Sequence, residues 1–328
     1  MYKYIFFFLA TSVLISCEPR VSEEKGVPTE MSQVTDAEIK ASISNPYVEP
    51  VNPLMPYDLS NPYMTFEMPK DLEEISGLSM GIDPNQLVAI NDEKGHIYFI
   101  DKMTGKLEKE VDFGKNKDYE GIETVKDEIF VVESDGELYR VQRIGDKDED
   151  TDRFENKLGR KYDVEGLTYD PVSDELLIAC KGKPGSGDRY DNMRAVYSFD
   201  LKTKGYSKNP AYLIDRGEIE DYFESNLKDS KFSSTLRALI DPDSAMDAFG
   251  PSGIAIHPAT SNFYILSSVG KLLVVLNRNG TIEHLEPLDK KIHRQPEGIC
   301  FDKDGTLYIS NEGKGKKGKI YKFLPQKG

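Results

Sequence analysis

The sequence predicts an all-β fold: a five-bladed propeller of four-stranded antiparallel blades, interrupted by one helical insertion. Three observations predict it. A short motif, Ser or Glu followed by Gly and then Leu or Ile, occurs at Ser76-Gly77-Leu78, Glu120-Gly121-Ile122, Glu165-Gly166-Leu167, Ser252-Gly253-Ile254 and Glu297-Gly298-Ile299. Successive copies begin 44 (76 to 120), 45 (120 to 165), 87 (165 to 252) and 45 (252 to 297) residues apart. After each copy comes a run of β-branched and aromatic residues, a short acidic or glycine turn and a second alternating run, as in 86–101, 128–141 and 305–313. Periods of roughly 40 to 50 residues with about four strands each are those of propeller blades. So short a meander cannot bury both faces alone, and radial stacking lets each blade bury them against its neighbours. A six-bladed ring is the alternative if the 87-residue gap holds another blade.

In chain order, the first segment is a leader. Residues 1–17 carry Lys3, an uncharged stretch from Tyr4 to Ser16 too short to span a bilayer, and then Leu14-Ile15-Ser16-Cys17, which looks like a bacterial lipobox. Lipidation at Cys17 is expected, with two or more chains anchoring the protein stably. Residues 18–55 are rich in Pro, Ser, Glu and Asn and read as a disordered tether. The expected location is the bacterial cell envelope, lipid-anchored in the outer membrane with a periplasmic or surface face.

The body, 56–328, is a soluble domain large enough for a sizeable core. The whole sequence is 30% charged and carries a net charge of −15, which repels phosphate backbones and argues against a nucleic-acid partner while suiting cations. Within the long gap, 194–200 and 211–215 complete the third blade. The stretch of about 217–248 has helical rather than alternating spacing and reads as the insertion. Residues 63–67 are expected to pair with 319–323, joining the chain ends in one sheet and removing a free edge. Cys180 and Cys300 sit in apolar runs and read as buried free thiols.

The motif starts, the Asn91-Asp92 type of strand end and the segment from Gln295 to Glu312 together resemble the SdiA-regulated (YjiK-like) family over about residues 60–325. The resemblance implies a five-bladed propeller distantly related to NHL repeats, with a calcium site.

The innermost strands of a propeller line its channel, so Glu120, Glu165 and Glu297 are expected to converge, with Ser76 and Ser252 at the matching places. Confined carboxylates repel one another and take up protons unless a cation compensates. Calcium fits best, since it accepts six to eight oxygen ligands at irregular geometry. The competing reading makes the glutamates hydrated channel residues or partners of bases such as Lys181. Asn91 and Asn311, at second-strand ends with Asp92, Glu133, Ser268 and Glu312, are candidate ligand contacts, although Asn, Asp and Ser also serve turns for local reasons.

Other motifs are weaker. Residues 241–247 lack the glycine and terminal glutamate of an EF-hand, 181–188 lack P-loop register, and no histidine pair has metal spacing. With no nucleophile–base pairing evident, the reading leans away from an enzyme: a monomeric, lipid-anchored, calcium-binding module that presents one face to a protein, glycan or small molecule. The alternative is a metal-dependent hydrolase of lactonase, phosphotriesterase or phytase-like type using a channel calcium as Lewis acid. A third reading is a structural envelope component with no ligand.

Overall fold

The computed structural model describes residues 52–145, 150–155, 158–227 and 249–326. The leader with Cys17, the tether as far as residue 51 and positions 228–248 of the insertion lie outside the described residues.

Five antiparallel sheets follow the repeat. Blade 1 runs Ile75–Met80, Gln86–Asn91, His96–Asp101 and Leu107–Asp112, and blade 2 runs Tyr119–Val125, Glu128–Glu133, Leu138–Gln142 and Asp150–Phe154. Blade 3 comprises Val164–Asp170, Glu175–Cys180 and Met193–Asp200, its outer place shared by the short strands Gly205–Tyr206 and Tyr212–Asp215. Blade 4 runs Pro251–Ile256, Phe263–Ser267, Leu272–Leu276 and Ile282–Pro287. Blade 5 takes Pro296–Phe301, Leu307–Asn311 and Lys319–Phe323 from the C-terminal end and Met64–Glu67 from the N-terminal end. Met64–Glu67 pairs antiparallel with Lys319–Lys322, so the ring closes as the sequence predicts. The long gap contributes no sixth sheet among the described residues.

Each blade is apolar on both faces because each is sandwiched. In blade 1, Leu87 and Ala89 pack toward blade 5, whereas Val88 and Ile90 pack toward blade 2. That explains why the second strands read as continuous apolar runs rather than as alternation. The core is accordingly five clusters, one in each seam between consecutive blades.

The helix α1, Arg216–Asn226, starts where Asp215 Oδ1 accepts the Gly217 N–H at 2.8 Å, an N-cap that satisfies a first-turn donor. Ile219 and Phe223, one turn apart, bury themselves in the seam between blades 3 and 4. The expected insertion is therefore helical over its first part.

The folded body begins earlier than residue 56. Met55, Tyr57 and Leu59 cap the seam between blades 4 and 5, and the Tyr264 hydroxyl donates to the Leu54 carbonyl at 2.7 Å. Of these, Met55 and Leu54 belong to the stretch read as tether, and Met55 covers apolar surface that a tether through residue 55 would leave wet. Two histidines complete the clasp: His257 Nε2 lies 3.0 Å from the Tyr57 hydroxyl, and His293 Nε2 lies 2.9 Å from the Leu59 carbonyl.

At the axis the motif glycines let inner strands touch. A Cβ on Gly77 would stand 2.8 Å from Ile122 N, on Gly121 2.8 Å from Leu167 Cβ, on Gly166 3.1 Å from Gly253 Cα, and on Gly298 2.6 Å from Leu78 Cβ. On Gly253 it would run into the Glu297 carbonyl oxygen. The contacts pass from blade 1 to 2, 3, 4, 5 and back to 1. Gly253→Ala is therefore expected to destabilise the protein by about 1–3 kcal/mol or more, because rigid backbone is the obstacle. Gly114→Ala, whose nearest new neighbour is Tyr119 Oη at 3.4 Å, is expected to cost under about 1 kcal/mol. Urea unfolding midpoints compare the two, and equal losses would contradict the close-approach argument.

Candidate functional site

A β-bulge in every inner strand builds the site. Pairing with the second strand slips between Ile75 and Leu78, Tyr119 and Gly121, Val164 and Gly166, Pro251 and Gly253, and Pro296 and Ile299. In blades 2, 3 and 4 the residue left without a ladder partner is Glu120, Glu165 or Ser252. In blades 1 and 5 it is the pair Ser76-Gly77 or Glu297-Gly298. An extra residue re-aims side chains locally, and here it brings Glu120, Glu165 and Glu297 to the channel constriction, while the Ser76 and Ser252 hydroxyls turn to hydrogen bonds with blades 2 and 5.

The structure brings Glu120, Glu165 and Glu297 around one constriction together with the motif glycines. The space they enclose is about 10 Å³, on the scale of one water or a bare ion. Ser76 Oγ donates to Glu120 Oε2 at 2.8 Å, and Ser252 Oγ donates to the Pro296 carbonyl at 2.8 Å. Glu165 Oε1 is 2.7 Å from Lys181 Nζ, and Glu297 Oε1 accepts from Ser268 Oγ at 3.1 Å. The Gln295 carboxamide lies near Glu297 and Glu312 and works against the rise of both carboxyls.

All three carboxyls are pushed above the ordinary carboxylate range. Burial is the main cause for Glu120, followed by the charge of Glu165. For Glu165 burial outweighs the ammonium of Lys181. Glu297 is pushed up to about 8 by burial and then by Glu165 and Glu312. Beside the ring, Asp92 is raised to about 7 by burial, Glu74 and Glu312, and its Oδ1 is buried with no hydrogen-bond partner.

The second-strand ends divide. Asn91 does not join the ring: its Nδ2 donates to the Asp71 carbonyl at 3.0 Å and its Oδ1 accepts the Lys94 N–H at 2.8 Å, a local turn. Glu133 turns instead to Lys117, 2.6 Å away. Asn311 is 3% exposed, and neither carboxamide atom has a hydrogen-bond partner.

A deeper layer lies three residues further along each strand: Ser79, Glu123, Thr168, Ala255 and Cys300. Simple alternation would place these on the face opposite the motif residue, but the bulge returns them to the side that meets the next blade, where Ala255 and Cys300 join the apolar seams and Ser79 and Glu123 bond across to their neighbours. Glu123 accepts from Ser79 Oγ at 2.8 Å and from the Thr124 and Tyr169 N–H groups at 2.9 and 3.3 Å. Burial raises it to about 7 against those bonds. Cys180 and Cys300 are buried and free, and burial lifts both thiols well above their usual range.

The donors at the mouth are carboxylates and hydroxyls, which suit a hard cation in kind. They are not a finished metal shell. Among the described residues no three His, Cys, Asp or Glu groups are gathered closely enough to hold an ion as they stand, and Glu165 is already engaged by the Lys181 ammonium.

Fold and ring together define a small five-bladed propeller with an acidic channel mouth. The chain belongs to the SdiA-regulated family, whose sequence model matches residues 66–192 and 207–314. No curated protein matches it. Among solved structures, the glutaminyl cyclase of Myxococcus xanthus is similar at 9% identity and a TM-score of 0.51, covering 80% of this chain and 95% of that one. The virginiamycin B lyase of Staphylococcus aureus is similar at 16% identity and a TM-score of 0.41, covering 79% and 69%. At these identities the likeness concerns the fold alone.

A pH dependence follows from the raised carboxyls. The Glu297 pKa is higher folded than unfolded, so the folded state holds more protons between the ordinary carboxylate range and about pH 8. Stability is then greatest below this window and declines as pH rises through it. In chelator, Glu297→Gln is expected to flatten the fall in Tm between about pH 5 and about pH 8. A variant whose melting curves keep the wild-type slope would contradict the assignment.

Proposed function

We propose that this protein is a lipid-anchored envelope propeller whose channel mouth holds a calcium-type cation, and that one propeller face binds a protein, glycan or small molecule. The observation carrying the cation reading is the set of three carboxyls around a space of ion size, each raised by burial, with Glu120 and Glu297 raised further by the charge of Glu165. Glu120, Glu165 and Glu297 would hold the ion, aided by the hydroxyls of Ser76 and Ser252. When bound, the ion supplies charge compensation at the place where five strands crowd together, and so ties the blades. The constriction does not admit an organic ester, which favours binding over hydrolysis in the channel.

The test is calcium titration of the purified soluble body, read by calorimetry and by Tm. Wild-type protein is expected to bind one ion and gain thermal stability, as binding to the folded state alone requires. The triple variant Glu120→Gln, Glu165→Gln, Glu297→Gln is expected to lose both. Equal calcium stabilisation of the two proteins would sink the cation reading.

The anchor reading rests on the hydrophobic leader ending in Cys17. Labelled palmitate is expected to enter wild-type protein in bacterial cells, whereas Cys17→Ala should remain unlabelled and leave the membrane fraction. Continued labelling of the variant would refute lipidation.

A further inference from the structure

The residue directly after each second strand occupies an equivalent place in the ring: Asp92, Ser134, Lys181, Ser268 and Glu312. The equivalence is visible in the backbone. The N–H groups of Asp92, Ser134, Lys181 and Glu312 donate to the carbonyls of Glu74, Asp118, Asp163 and Gln295, in each case two residues before the motif Ser or Glu. Four of the five blades place an oxygen-bearing side chain there. Blade 3 alone places a cation.

The Lys181 backbone is pinned. Its N–H is 2.8 Å from the Asp163 carbonyl, the next N–H, of Gly182, is 2.8 Å from the Tyr162 carbonyl, and a Cβ on Gly182 would run into the Lys161 carbonyl oxygen. The aliphatic stem lies across Gly250, where an added Cβ would stand 2.8 Å from Lys181 Cγ. The ammonium, by contrast, has two carboxylates within reach. Glu165 Oε1, inside the ring, is at 2.7 Å, and Asp163 Oδ2, half exposed, is at 3.9 Å. The side chain is itself 39% exposed, so it has room to move between them.

We propose that Lys181 is a tethered counter-cation of the acidic ring, which a divalent ion must displace toward Asp163 in order to bind. Lys181 thereby sets the affinity of the mouth: it keeps the ring neutral enough to fold without metal and raises the ion concentration needed for occupancy. This inference rests on the cation reading above and specifies how that site is regulated.

Calorimetric titration of calcium into wild type, Lys181→Met and Lys181→Ser tests it. Lys181→Met keeps the stem over Gly250 and removes the charge, and Lys181→Ser restores the kind of side chain found in blades 2 and 4. Both are expected to bind calcium about tenfold or more tightly than wild type, since a competing unit charge has left the site. Adding the three glutamate-to-glutamine changes to Lys181→Met should abolish that binding. Wild-type affinity in both lysine variants would overturn the tethered-cation inference and leave the cation reading intact. Absence of calcium binding in all three proteins would overturn the cation reading and this inference with it.

Discussion

The structure depends on backbone meeting backbone at the axis. Five inner strands converge until the missing side chain of each motif glycine is filled by the next strand, from Gly77 against Ile122 round to Gly298 against Leu78. Steric exclusion of a Cβ is short-ranged and unforgiving, because the neighbour is peptide rather than a side chain that can rotate. The five apolar seams then follow: blades that must meet at their inner edges are wedge-shaped, and large residues such as Tyr98, Phe130 and Phe263 fill the widening gaps further out.

The same constraint generates the chemistry. Each inner strand bulges at the motif, and of the five residues before glycine those of blades 2, 3 and 5 reach the channel constriction. Three of the five are glutamates, so the act of closing the ring concentrates negative charge where solvent is scarce. Burial and mutual repulsion then raise those carboxyls, a situation relieved by protons, by metal ions or by an ammonium. Lys181 is the relief present within the chain. Stability and site are thus two consequences of one geometry, which is why a change in ring charge is expected to register in the melting temperature.

Much of this was legible in the chain. The period near 45 residues, the uninterrupted apolar second strands and the pairing of the two chain ends are local or repeated signals, and repetition multiplies a weak motif into a strong one. The convergence of Glu120, Glu165 and Glu297 followed from the repeat as well. The deeper layer was hidden, because alternation assigns Ser79 and Glu123 to the wrong face unless the bulge is known. Asn91 was misleading for the opposite reason: an Asn at a strand end has the same appearance whether it faces a ligand or, as here, closes a turn through Asp71 and Lys94. The role of Met55, Tyr57 and Leu59 was masked by the prolines around them, which signal extended chain but not what the extended chain packs against.

The sequence by itself determined the order of the blades, the manner of closure and which residues circle the axis, since these are encoded as periodicity and periodicity survives without coordinates, whereas the long gap left five or six blades open until the sheets were seen. Only the tertiary structure decided which way the circling side chains point, how narrow the space among them is, and that Lys181 reaches Glu165 from the edge of its blade. Those outcomes hinge on bulges, on separations of a few ångströms and on contacts between segments remote in the chain, and such quantities leave no local trace in the order of residues.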